Sequence, residues 1–198
     1  QNLIDNVKAI ILFGSYIRNN HINYKDIDIM IVLNKKIWKN AAEKHKLEMN
    51  IEKSIDIKTD ISLIVYGELI NLLSYSPLLQ TELEDRKVIY GSIKLIKKII
   101  INKAYLYKRL LEIESILELG KSIKSKYLYN SIRECLSIEL FLKKIVDNKL
   151  IIKTIENNIG KSTVESLSEN KANSAQKDIA LRYLKYLYNK LEKILKNE

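Results

Sequence analysis

Hydrophobic and polar positions change rhythm once along this chain, from a strand-like alternation to a helical stripe. Residues 9–13 are all apolar, rich in β-favouring types, and stop at Gly14-Ser15, where glycine allows a sharp exit; this predicts a short buried strand. Residues 27–33 predict a second, with Ile27, Ile29 and Ile31 on one face and Asp28 on the other. Residues 55–65 alternate cleanly and predict a third, with Asp56, Lys58, Asp60 and Ser62 sharing a face. Around these strands the pattern predicts a helix end over 1–8, with Leu3, Ile4 and Val7 to one side, and a polar loop over 19–25. A surface helix is expected over about 37–54, from Ala41, Ala42, Leu47 and Ile51 at near-helical spacing. Pro77 suits the first turn of a short helix, and residues 88–91 close the unit.

From Ser92 the period is helical and remains so. Ile96, Ile99, Ile100, Leu106, Leu110, Ile113 and Leu117 form one stripe, ending at Gly120 as a cap. Leu128, Ile132, Cys135, Leu136, Leu142 and Val146 form a second. Ala180, Tyr183, Leu184, Leu187, Leu191 and Leu195 form a third, after a polar break over 166–174, and residues 149–160 read as a shorter helix in between. Three or four such helices predict an up-and-down bundle. The expected class is therefore α+β: a small mixed-sheet domain over 1–91 followed by an all-α bundle over 92–198.

The chemistry concentrates at the second strand. Asp26 and Asp28 stand two apart at its start, on one face, where two anions repel and folding alone gains little from them. A divalent cation would relieve that repulsion, and hard oxygen donors suit Mg²⁺. A Cys/His zinc cluster is excluded, because His21 and His45 are the two histidines and Cys135 the one cysteine. That cysteine reads as a small core residue, and its isolation fits a reducing cytoplasm. No apolar run is long enough to span a membrane and no signal-peptide pattern appears, although a segment preceding Gln1 stays open. The net charge of +10 sits entirely in one half: residues 1–91 carry 12 basic and 12 acidic side chains, residues 92–198 carry 22 and 12. This points to a polyanionic partner for the second half, or to a composition bias toward Lys, Ile and Asn.

Gly14-Ser15, Arg18 and the Asp26-x-Asp28 pair resemble the signature of DNA polymerase β-like nucleotidyltransferases, in particular their minimal, stand-alone branch. That family usually follows Gly-Ser with Ala-Arg-Gly; here Tyr16-Ile17-Arg18-Asn19 lacks the second glycine. The resemblance extends over most of residues 9–91, including the stretch from Ser76-Pro77 to Tyr90-Gly91. It implies an Mg²⁺-dependent enzyme that moves a nucleoside monophosphate from ATP or another NTP to an acceptor hydroxyl and releases pyrophosphate. Gly14, Ser15 and Arg18 would then bind the triphosphate. Asp26, Asp28 and a third carboxylate would be the catalytic, metal-holding acids. Aligning residues 60–69 on the family's third motif makes Asp60 that carboxylate, with Asp56 as its competitor.

The domain-plus-bundle arrangement is similar to aminoglycoside nucleotidyltransferases and to those of toxin–antitoxin and phage-defence systems. The implied acceptor is a small molecule, tRNA or a partner protein, with a second copy of the chain as a candidate to complete the cleft. Glu139 is the one bundle acid set inside an apolar stripe, a candidate general base if its pKa is raised, or else a partner of Lys143 four residues on. The bundle lacks the histidine that the RNA-cleaving HEPN domains use, which excludes that RNase mechanism. Its mixed runs Lys124-Ser-Lys-Tyr-Leu-Tyr129 and Arg182-Tyr-Leu-Lys-Tyr-Leu-Tyr188 read either as RNA-binding surface or as bundle core and rim. The rival from another class is a non-catalytic antitoxin or scaffold that retains the fold.

Overall fold

The computed structural model describes residues 3–18, 26–95 and 99–197. The loop expected over 19–25 and Ile96 of the first helical stripe lie outside the described residues. The chain divides into two compact units, Gln1–Lys98 and Ile99–Glu198.

The first unit is built on a four-stranded mixed sheet in the order β3-β2-β1-β4. A single turn of helix, α1 (Leu3–Asn6), leads into β1 (Val7–Phe13), then α2 (Gly14–Arg18) and β2 (Ile27–Leu33). The helix expected over 1–8 is thus shorter: Val7 and Lys8 belong to β1. The reason lies at Asn6, whose buried amide donates to Lys35 O at 2.7 Å and accepts from Lys35 N at 2.9 Å, tying the chain to the exit of β2. Next come α3 (Ala41–Lys53), β3 (Thr59–Val65), α4 (Tyr66–Tyr75), α5 (Pro77–Glu82) and β4 (Lys87–Gly91). Strand β1 pairs antiparallel with β2 and β4, whereas β2 and β3 run parallel.

Both sheet faces are covered, which explains why β1 and β2 read as near-continuous apolar runs. On one face Ala9, Ile11, Met30 and Val32 pack against Leu69 and Leu73 of α4 and Leu83 beyond α5. On the other, Ile31, Leu33, Ile61 and Leu63 pack against Trp38, with Leu47 and Ile51 of α3 beside them. Ile11, Leu33, Leu63 and Leu69 are fully buried, each contributing about 1.5–3 kcal/mol of transfer free energy.

Helix α3 also protects an edge of the sheet. Glu52 Oε1 accepts from Ile61 N at 2.9 Å and Glu48 Oε1 from Leu63 N at 2.8 Å. These are the outward N–H groups of edge strand β3, which would otherwise offer a template for pairing. The third strand begins at Thr59 rather than at residue 55. Residues 54–57 form turns after α3, with Ile55 packed toward the α3 core and Ile57 53% exposed. Asp56 is consequently off the strand.

The second unit is all helical: α6 (Lys103–Leu119), a 3₁₀ turn (Gly120–Ser122), α7 (Ser125–Leu142), α8 (Asn148–Ile159), α9 (Lys161–Ser168) and α10 (Ser174–Asn197). Leu106, Leu110 and Ile113 of α6 meet Leu128, Ile132, Cys135 and Ile138 of α7 and Leu184, Leu187 and Leu191 of α10 in one core. Ile151, Ile155 and Ile159 of α8 and Val164 and Leu167 of α9 complete it. Ile99 and Ile100 precede α6 and so fall outside its helical stripe. Helix α9 occupies part of the stretch read as a polar break, because Thr163, Val164 and Leu167 form a narrow buried face among serines and lysines. Cys135 is buried, and burial pushes its thiol well above the ordinary range, so it acts as a core residue. Among the described residues no helix is long and apolar enough to cross a membrane.

Candidate active site

Strand pairing brings Gly14 and Asp60 beside Asp28. Phe13, the last residue of β1, is the register partner of Asp28 on β2, so Gly14 lands directly beside the Asp28 carboxylate. Gly14 adopts φ +74°, and a Cβ there would stand 1.7 Å from Asp28 Oδ2 and 2.6 Å from Cγ. Glycine is required at this position twice over, by its backbone conformation and by the closeness of the acid. Ser15 and Arg18 follow on α2, both half-buried.

Asp28 and Asp60 are direct partners in the parallel β2–β3 ladder. Period two places Asp28 on the face of Met30 and Val32, and Asp60 on that of Ser62 and Ile64. This face carries the α4–α5 core. Asp26 lies in the bend just before β2, where Ile27 N bonds Lys58 O at 3.1 Å to start the β2–β3 pairing.

The electrostatics converge on Asp28, whose carboxyl is pushed up from 3.8 to about 6. Its partial burial is the main cause, followed by the negative charges of Asp26, Asp60 and Glu82; the Arg18 guanidinium opposes them. Glu82, at the end of α5, carries a charge that no sequence pattern singles out. Its place beside Asp28 comes from α5 packing on the sheet face, which no local pattern encodes. Asp56 stands exposed in the turn before β3.

Asp28 and Asp60 share one sheet face and Asp26 lies at its edge, and hard oxygen donors of this kind suit a divalent cation. Among the described residues, no three acidic, imidazole or thiol side chains are yet grouped as a ready ligand cage.

The Polymerase beta, Nucleotidyltransferase family model matches residues 2–109, more than half of the sequence. The chain belongs to that family. A curated relative from Methanocaldococcus jannaschii, provisionally named a protein adenylyltransferase, is 30% identical over 93 residues. The match covers 46% of this chain and 63% of the relative, so the chain spans less than two thirds of that protein's length. The solved structure of spectinomycin adenyltransferase AAD(9) from Enterococcus faecialis, with ATP and spectinomycin, superposes with a TM-score of 0.57 at 14% identity. That alignment covers 96% of this chain and 93% of the other, so the two share a fold, helical C-terminal part included.

In the helical unit of this family member, Glu139 differs from the raised-pKa acid that the general-base reading requires. Burial alone would raise its carboxyl, but hydrogen bonds from Lys190 and Lys143 outweigh that, and the net shift is downward. The two ion pairs, Lys143 Nζ to Oε1 and Lys190 Nζ to Oε2, are both 2.9 Å. Glu139 is therefore a held anion, and Lys190 is the partner that helical spacing alone does not reveal. Elsewhere Arg109 of α6 bonds Glu134 of α7 in a forked pair, Nη2 to Oε2 at 2.8 Å, fastening the two helices together, and also pairs with Glu112 on its own helix.

Proposed function

We propose that this chain is an Mg²⁺-dependent nucleotidyltransferase that moves a nucleoside monophosphate, with ATP as donor, to an acceptor hydroxyl. Residues 1–91 would form the catalytic domain and residues 92–198 the basic helical domain. The carrying observation is the raised Asp28 carboxyl, crowded by Asp26 and Asp60 against a glycine that admits no side chain. The names of the M. jannaschii relative and of AAD(9), the latter solved with ATP, favour an adenylyl donor.

Each residue has a task in this reading. Gly14 lets phosphate oxygens approach the backbone, the Ser15 hydroxyl donates to them, and the planar fork of Arg18 pairs with their charge. Asp26, Asp28 and Asp60 would hold Mg²⁺, which when bound offsets charge on the triphosphate and on the in-line transition state. The acceptor oxygen bonds to the α-phosphorus as the bond to the bridging oxygen of the β-phosphate breaks. Pyrophosphate departs and the hydroxyl proton is released. Acceptors consistent with the basic second half are tRNA, a partner protein or a small molecule. A cytoplasmic location and a second copy of the chain belong to the same reading.

The test is incubation with α-labelled ATP, Mg²⁺ and a lysate. Label should pass to an acceptor with the parent protein and fail to pass with Asp28→Asn. Equal labelling by the variant contradicts the reading. Tight partner binding without any label from any NTP favours the non-catalytic rival.

A further inference from the structure

One cavity in the helical unit has no part in the chemistry above. It lies among α7, α8 and α10 and measures about 240 Å³. Cavities that enclose a whole drug-sized ligand run to about 300–1,000 Å³, so this one suits a single ring system belonging to something larger. Its floor is apolar, from Leu140, Ile151 and Leu187. Along one wall Tyr183 and Tyr186, a helical turn apart on α10, stack with ring centroids 6.3 Å apart and planes inclined by 15°. Tyr183 is half-buried, whereas Tyr186 is 59% exposed, so the outer ring keeps an accessible face. The Asn158 amide and the Thr154 hydroxyl lie on the α8 side, and the paired Glu139 and Lys190 also line the cavity.

We propose that this cavity seats one base of a single-stranded RNA, stacked on Tyr186, with its backbone phosphates drawn by Lys190 of the lining and by Lys143, which shares Glu139 with it. Every nucleobase has a π-face, so an exposed tyrosine over an apolar floor accepts a splayed base with little regard to identity. Asn158 Nδ2 donates to Thr154 O at 2.8 Å, and its amide oxygen can accept from a base edge. Lys143 and Lys190 together outnumber Glu139, and both keep solvent contact, at 58% and 39% side-chain exposure. Lys143, the more exposed of the two, can turn to a phosphate while Lys190 keeps Glu139 paired. Residues 92–198 hold 22 basic and 12 acidic side chains, which supplies the long-range attraction for a polyanion. An RNA duplex buries its base faces and cannot use the stacking wall. The inference does not depend on nucleotidyl transfer, and its test leaves that reaction out.

The experiment titrates the full chain, in EDTA and without nucleotide, into fluorescein-labelled single-stranded RNA of mixed sequence and into the same sequence as a duplex. The single strand should bind more tightly, with affinity falling as salt rises. Tyr186→Ala should weaken single-strand binding about tenfold, the loss expected for one stacked base, while Tyr186→Phe retains it. Because Tyr186 is largely exposed, the fold should persist, which circular dichroism checks. Crosslinking with 4-thiouridine RNA should mark the peptide carrying Tyr183 and Tyr186. The proposal is overturned if the parent binds no RNA, if Tyr186→Ala binds as the parent does, or if the duplex binds as tightly as the single strand. Crosslinks confined to peptides outside α7, α8 and α10 would overturn it as well.

Discussion

Replacing Asp28 by asparagine should stabilise the first unit while removing its chemistry. The carboxyl has been pushed from 3.8 to about 6 by partial burial and by Asp26, Asp60 and Glu82. At about 1.4 kcal/mol for each pH unit, that rise corresponds to roughly 3 kcal/mol of cost to the ionised form. Asp28 keeps some solvent contact, and screening reduces the recoverable part to about 1–2 kcal/mol. The sign follows from proton counting. Between 3.8 and about 6 the folded protein holds a proton that the unfolded chain has released, so stability falls as pH rises through this window. Above it the cost is complete, and below it the cost vanishes. Asparagine keeps the shape without the charge. Urea unfolding in EDTA should therefore show Asp28→Asn more stable than the parent at neutral pH, with the difference shrinking as pH drops toward 4. Mg²⁺ should raise the stability of the parent more than that of the variant. A variant no more stable than the parent at neutral pH in EDTA would refute the crowding on which the site reading rests.

Gly14→Ala should cost about 1–3 kcal/mol from its φ of +74° alone, and should also displace the Asp28 carboxylate and abolish label transfer. Urea unfolding and the transfer assay check the two effects. The double change Glu48→Ala and Glu52→Ala frees the outward N–H groups of Ile61 and Leu63. It should lower stability by about 2–4 kcal/mol and promote self-association on size-exclusion chromatography as edge strand β3 is uncovered. Glu139 has a depressed pKa in the folded state, so its ion pairs stabilise above the ordinary glutamate value of 4.5 and lose their contribution as pH falls through the lower folded value. Glu139→Gln should accordingly be less stable than the parent at neutral pH and level with it in strong acid, as followed by denaturant melts across pH.

Much of the first unit is written locally. The 27–33 strand, with Asp28 turned from its isoleucines, follows from period two, and the Gly14-Ser15 exit follows from what glycine alone permits. Residues 55–58 show where local reading fails. Ile55 and Ile57 continue the alternation of β3 backward, yet alternation over four residues cannot distinguish a strand from the turn that leaves α3. Asp60 stands opposite Asp28 through the register of a parallel pair, which is a tertiary property; family resemblance and the buried run after Asp60 point to it. Glu82 reaches the same acids through helix packing and has no sequence signal. In the second unit the broad stripes of α7 and α10 are plain from spacing. The narrow face of α9 is not, since Thr163 is polar by type and buried by circumstance.

The most direct measurement is diffraction from crystals grown with a non-hydrolysable ATP analogue and Mn²⁺ in place of Mg²⁺, using the anomalous signal of the metal. Mn²⁺ should lie among Asp26, Asp28 and Asp60, with the triphosphate against Gly14, Ser15 and Arg18. Nucleotide bound elsewhere on the chain, or a metal that leaves Asp28 without a ligand role, would contradict it.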